Sequence, residues 1–142
     1  MIDIQKDVFA RLAADTSLAS IVGTYGDAVA IFTDYVPSDF VIGADPALVV
    51  DAPFDNADFD TFNQYGRTIQ LNVRCYHKPD GNSLSLMQAA ERARTVLKLW
   101  PAGSITAADL VDATVTGPVS APTDDPALSG LLLSVRLIIQ ET

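Results

Sequence analysis

The chain has 142 residues, 49% hydrophobic and 19% charged, with a net charge of −9. That length suits one domain around one core, and the composition is too apolar for a disordered chain. A balance this acidic excludes non-specific adhesion to nucleic acid or anionic membrane, because both depend on Lys and Arg displacing counterions.

Of the eighteen acids, sixteen are Asp and two are Glu. The short Asp side chain bonds nearby backbone N–H groups, so the acid load is expected in turns and caps. The longest apolar run, Gly130–Ile139, is broken by Ser134 and Arg136, which argues against a membrane span. The opening MIDIQKD offers acids where a secretory signal needs a basic and then an apolar block, so no export is implied. A single Cys rules out an internal disulfide and suits a reducing compartment.

In chain order, Asp3 can cap a first helix whose apolar residues Ile4, Val8 and Leu12 recur every fourth position, with Phe9 widening the stripe. Asp15, Thr16 and Ser17 break it and can cap a short turn, Leu18–Val22, that Gly23 closes. The β-branched and aromatic run Ala28–Val36 predicts a strand stopped by Pro37, and PALVVDAP, between Pro46 and Pro53, predicts a second. FDNADFDTFNQYG has no clear period and reads as a long exposed loop or an extended hairpin arm.

The third strand is the clearest. Ile69, Leu71, Val73 and Cys75 alternate with Thr68, Gln70, Asn72, Arg74 and Tyr76, the period of a half-buried strand. KPDGNS is a turn, after which Asn82 or Ser83 can cap a helix with Leu86, Ala90, Ala93, Leu97 and Trp100 on one stripe, stopped by Pro101 and Gly103. LVDATVTGPVSAP predicts a fourth strand bent or bulged at Gly117–Pro118. The last strand puts Leu131, Leu133, Val135, Leu137 and Ile139 on one face; Leu132 and Ile138 make the other face partly apolar, which suggests a cover or a partner there.

With no internal repeat or low-complexity linker, the prediction is one α+β domain over residues 1–142. It consists of an antiparallel sheet, mixed pairing allowed, of four to five strands with two main helices on one face, in the order α-β-β-β-α-β-β.

Candidate chemistry is sparse. Cys75 and His77 fall on the same side of their strand, but Cys75 continues the core row, where a free thiol acts as a small hydrophobe, and His77 falls where the strand gives way to a turn. Zinc needs three or four ligands and no other Cys or His exists. A Cys–His nucleophile needs an exposed thiol in an electropositive pocket, opposite to a core row. DNADFD, Asp55–Asp60, invites a calcium reading and fails it in two registers: from Asp55, Ala57 falls on a ligand position; from Asn56, Thr61 takes the glycine position and Arg67 the closing Glu position. Gly23-x-x-Gly26 lacks the third glycine of a dinucleotide fingerprint, and neither a phosphate-binding G-K-[ST] nor a G-x-S-x-G elbow occurs. No catalytic residue, metal or cofactor is expected. The competing reading is a small ligand- or metal-binding domain or enzyme built on the carboxylates of 55–60.

Several stretches together carry a family resemblance: MIDIQKDVFARLAADTSLASIVG, IFTDYVP, PALVVDAP, DTFNQYGRTIQLNVRCYHKPDGNSLSLMQAAERARTVL and GLLLSVRLIIQET. In pattern and order they resemble the tail completion, or tail terminator, proteins of long-tailed phages, prophages and related tail-like or gene-transfer particles. The resemblance covers most of the chain. It implies a structural virion protein at the head–tail junction, assembled in the bacterial host cytoplasm. Such a protein forms a ring, typically a hexamer, that caps the finished tail tube, meets a head-side connector or stopper protein and lets DNA pass without specific binding. Another neck or tail-tube position is the alternative within that setting. An acid-rich wall around a DNA channel repels phosphate, which suits −9. A closed cyclic ring uses two different surfaces of each subunit, and the expected contacts are Asp55, Asp58, Phe59, Asp60 and Phe62 of the arm-like loop with Leu132 and Ile138 of the last strand.

Overall fold

A computed structural model describes residues 4–61, 64–79, 84–105, 108–123 and 125–141. The first helix, α1 (Ile4–Ala13), buries Ile4, Val8 and Leu12, the predicted stripe. Its predicted cap, Asp3, lies outside the described residues. At the break, the Asp15 carboxylate accepts a hydrogen bond of 2.8 Å from the Leu18 N–H and caps the short helix α2 (Thr16–Ala19). A donor that the helix itself leaves without a partner is thereby satisfied.

The strand predicted over Ala28–Val36 is divided. β1 (Thr24–Tyr25) and β2 (Ala28–Val29) form a small hairpin, while β3 (Ile31–Thr33) runs parallel to β4 (Ala47–Val50). Ala30 marks the division: its N–H donates to the Gly23 carbonyl and its own carbonyl accepts from the Leu48 N–H, so the chain changes partner there. Asp34 then turns the chain out of the strand with a φ of 68°, a left-handed backbone that short polar side chains tolerate.

The stretch read as a loop or hairpin arm is the arm: β5 (Asp55–Thr61) pairs antiparallel with the first half of β6 (Gln64–His77). Beyond β6 come α3 (Leu84–Lys98), β7 (Gly103–Ile105), β8 (Ala108–Ser120) and β9 (Ser129–Glu141). β4 takes the second half of the same β6 edge, from Val73 to Tyr76, and β9 pairs along the opposite edge from Tyr65 to His77. The main sheet therefore has seven strands in the order β3-β4-β6-β9-β8-β7, with β5 beside β6 off that path. This corrects the predicted four to five strands and their simple order. β5 and β7 carry too little apolar alternation to show as strands and exist by pairing with a stronger neighbour.

Both main helices cover one face, as predicted. Ile69, Leu71, Val73 and Cys75 of β6 and Leu133, Val135, Leu137 and Ile139 of β9 form one core cluster with Val8 and Leu12 of α1 and Leu86, Ala90, Ala93 and Leu97 of α3. Burying each Leu, Ile or Val side chain contributes about 1.5–3 kcal/mol relative to leaving it in water, so this central row carries much of the fold. Trp100, predicted as the last step of the α3 stripe, follows the helix end and packs half-buried against the core. Asn82 and Ser83, the predicted caps of α3, lie outside the described residues. β8 is irregular at two places, between Leu110 and Asp112 and between Thr116 and Val119; the second is the bulge predicted at Gly117–Pro118. No helix among the described residues is long and apolar enough to cross a membrane.

Candidate assembly surface

Cys75 and His77 test the chemical reading. Cys75 is fully buried opposite Leu48, and burial pushes its thiol up to about 12, so it holds its proton at neutral pH. His77 falls where the strand ends, as its position in the sequence suggests. It is the last residue of β6, paired with Ser129 and fully buried because the 43–45 segment and the start of α3 close over it. Its Nδ1 lies 3.3 Å from the Ala44 carbonyl and 3.5 Å from the Ser85 hydroxyl, and its Nε2 has no hydrogen-bond partner. The imidazole thus ties a strand end to a loop and a helix start. It has no access to a substrate.

The seven expected contact residues separate into two groups. Asp55, Asp58, Phe59 and Asp60 lie on β5, at register positions opposite Gln70, Arg67, Gly66 and Tyr65. Phe62 lies outside the described residues. Ile138 belongs to the same end of the sheet, because the row Ala57, Thr68, Ile138, Asp112 crosses four strands. Leu132 is at the other end, between Arg74 and Val119. Both are half-buried, on the face opposite the helices. Val119 is 55% exposed beside Leu132 and forms with it an apolar pair that sequence reasoning missed, because the bulge at Gly117 moves Val119 out of the core register.

Two cationic features also escaped the sequence. On the open face, Arg74 donates through Nε and Nη2 to Asp51, at 2.6 Å for the shortest bond, and also bonds the Asp34 carbonyl and the Tyr76 hydroxyl. Paired guanidinium–carboxylate bonds of this kind fix both partners. Beside them, Val36, Ile42, Pro122 and Leu128 form a shallow groove between two loops.

In the helix layer, Arg92 donates from Nε and Nη2 to the two oxygens of Asp15, each at 2.8 Å. The Arg92 hydrogen bond holds the Asp15 carboxyl below its ordinary range, with burial acting in the opposite sense and the Leu18 N–H and Arg11 helping. Arg11 donates from Nε to the Val96 carbonyl at 2.9 Å and lies over the Trp100 ring at 5.5 Å. Asp15 was legible as a helix breaker and cap; its partner Arg92, 77 residues away, was not.

DNADFD is strand backbone, whereas calcium ligation at alternate positions needs a loop that wraps the ion. Among the described residues no group of three His, Cys, Asp or Glu gathers as a metal site.

No protein-family model and no curated protein matches this chain. Among solved structures, the chain is similar to one in the virion of a native gene transfer agent particle, with a TM-score of 0.74 and 20% identity. The match covers 96% of this chain and 94% of that one, so the two share a whole fold and not a fragment.

Proposed function

We propose that this protein is a structural component of a phage-like particle: a tail terminator that assembles as a ring, typically of six copies, on the end of the tail tube. There it meets the tube protein on one side and a head-side connector or stopper on the other, at the head–tail junction of the virion. The observation that carries this reading is the whole-chain likeness to a subunit of a gene transfer agent virion. The sequence resemblance to tail completion proteins supports the terminator role within that setting. Charge supports it too, since a protein of −9 around a channel repels phosphate and lets DNA slide. The buried thiol and enclosed imidazole favour assembly by shape over catalysis.

The reading predicts particles in multiples of 15.1 kDa near six by sedimentation of the purified protein. Deleting the gene should leave tails of uncontrolled length that fail to join heads, seen by negative stain. A monomer at every concentration, together with normal tails in the deletion, would refute it.

A further inference from the structure

The cleft between α1 and α3 is built like a receptor for a carboxylate. It has a volume of about 240 Å³ and is lined by Arg11, Ala14, Asp15, Arg92, Thr95, Val96 and Leu99. Arg11 is fixed before any ligand arrives, through its Nε bond to the Val96 carbonyl and its place over Trp100. These contacts leave both of its terminal nitrogens without a hydrogen-bond partner among the described residues. Arg92 spends Nε and Nη2 on Asp15, and its Nη1 is likewise without one. Among the lining residues two guanidiniums stand against one carboxylate, in a chain whose total is −9. Planar guanidiniums held in place recognise carboxylates in paired geometry, and a fixed side chain loses little further freedom on binding. Leu99 stands 69% exposed at the rim, an apolar contact beside the charged one.

We infer that this cleft accepts the β5 strand of a neighbouring copy in the ring, with Arg11 and Arg92 receiving an Asp carboxylate from that strand. β5 reads DNADFDT, three acids and no cation of its own, with Arg67 of β6 opposite Asp58, and its only strand partner among the described residues is β6. Strand edge and helix cleft are two different surfaces of one subunit, which is what a closed head-to-tail ring requires. Charge complementarity sets which surface meets which and disfavours the reversed pairing. The inference rests on the proposed ring and names its contact.

The test compares self-association of wild type, Arg11→Glu and Leu99→Glu by sedimentation velocity, with circular dichroism to verify folding. Leu99 is exposed, so its variant should fold even if Arg11→Glu does not. Each substitution should raise the concentration needed for assembly at least about tenfold, the scale of lost charge pairing at an interface. Asp55, Asp58 and Asp60→Lys should do the same, and combining that triple change with Arg11→Glu should restore part of the loss. If wild type forms rings and folded Leu99→Glu forms them at the same concentration, the contact is wrong while the ring stands. If wild type never associates, ring and contact fall together. If the variants assemble normally but lose retention of a short DNA duplex that wild type holds, the cleft is a phosphate site and the inference is overturned.

Discussion

Burial assigns Cys75 its role. The thiol completes a core row, and removing it from water raises its pKa to about 12, so the nucleophilic thiolate is scarce at neutral pH. In the native protein it should not react with a thiol reagent over the time in which the denatured chain reacts fully. Cys75→Ala should lower unfolding free energy by about 1 kcal/mol in denaturant melts, as expected for a small buried group leaving a small void, with assembly unchanged. Asp15 shows the opposite effect of environment: the Arg92 hydrogen bond lowers its pKa despite the opposing effect of burial. A carboxyl with a lowered folded-state pKa stabilises the protein above its unfolded value, and that stability is lost as pH falls through the folded one. Thermal melts taken down from about pH 5 should therefore lose midpoint more steeply below about pH 4 in wild type than in Asp15→Asn, which keeps a cap but not the ion pair. Equal slopes would mean that the Arg92 pair contributes nothing in solution.

Among the elements, β8 depends most on one residue. Gly117 has a φ of 105°, and a Cβ there would stand 2.6 Å from the Leu132 carbonyl oxygen. Backbone strain and collision act together, so Gly117→Ala should destabilise by about 2–3 kcal/mol, read as a shift of the denaturation midpoint. The surrounding bulge carries consequences for the surface. It turns Val119 out beside Leu132, leaving an apolar pair on the face without helices. β5 depends on its neighbour in another way. Its sequence has little strand character, yet it aligns along β6 because the strong alternation of β6 extends past the end of β4 and leaves an edge to fill.

At the scale of the molecule, charge is unevenly spread over the elements. α1 and α3 carry Lys6, Arg11, Arg92, Arg94 and Lys98 against two acids, Asp7 and Glu91, while β5 has three acids and no cation of its own, with Arg67 of β6 opposite Asp58. The proposed head-to-tail ring draws on that difference to set which surfaces meet, and solution mass tests the ring. The sequence by itself determined the α+β class, the α1 and α3 stripes, the core rows of β6 and β9 and the break at Asp15, because periodic burial leaves its mark within a dozen residues. Only the tertiary structure decided that the Ala28–Val36 run divides between two pairings, that β4 and β5 share one edge of β6, and that His77 is enclosed. It also separated Leu132 from Ile138 and β5, and brought Arg92 to Asp15 across 77 positions. Strand pairing and ion pairing join residues far apart in the chain through hydrogen bonds and charge, which leave no period in the sequence between them.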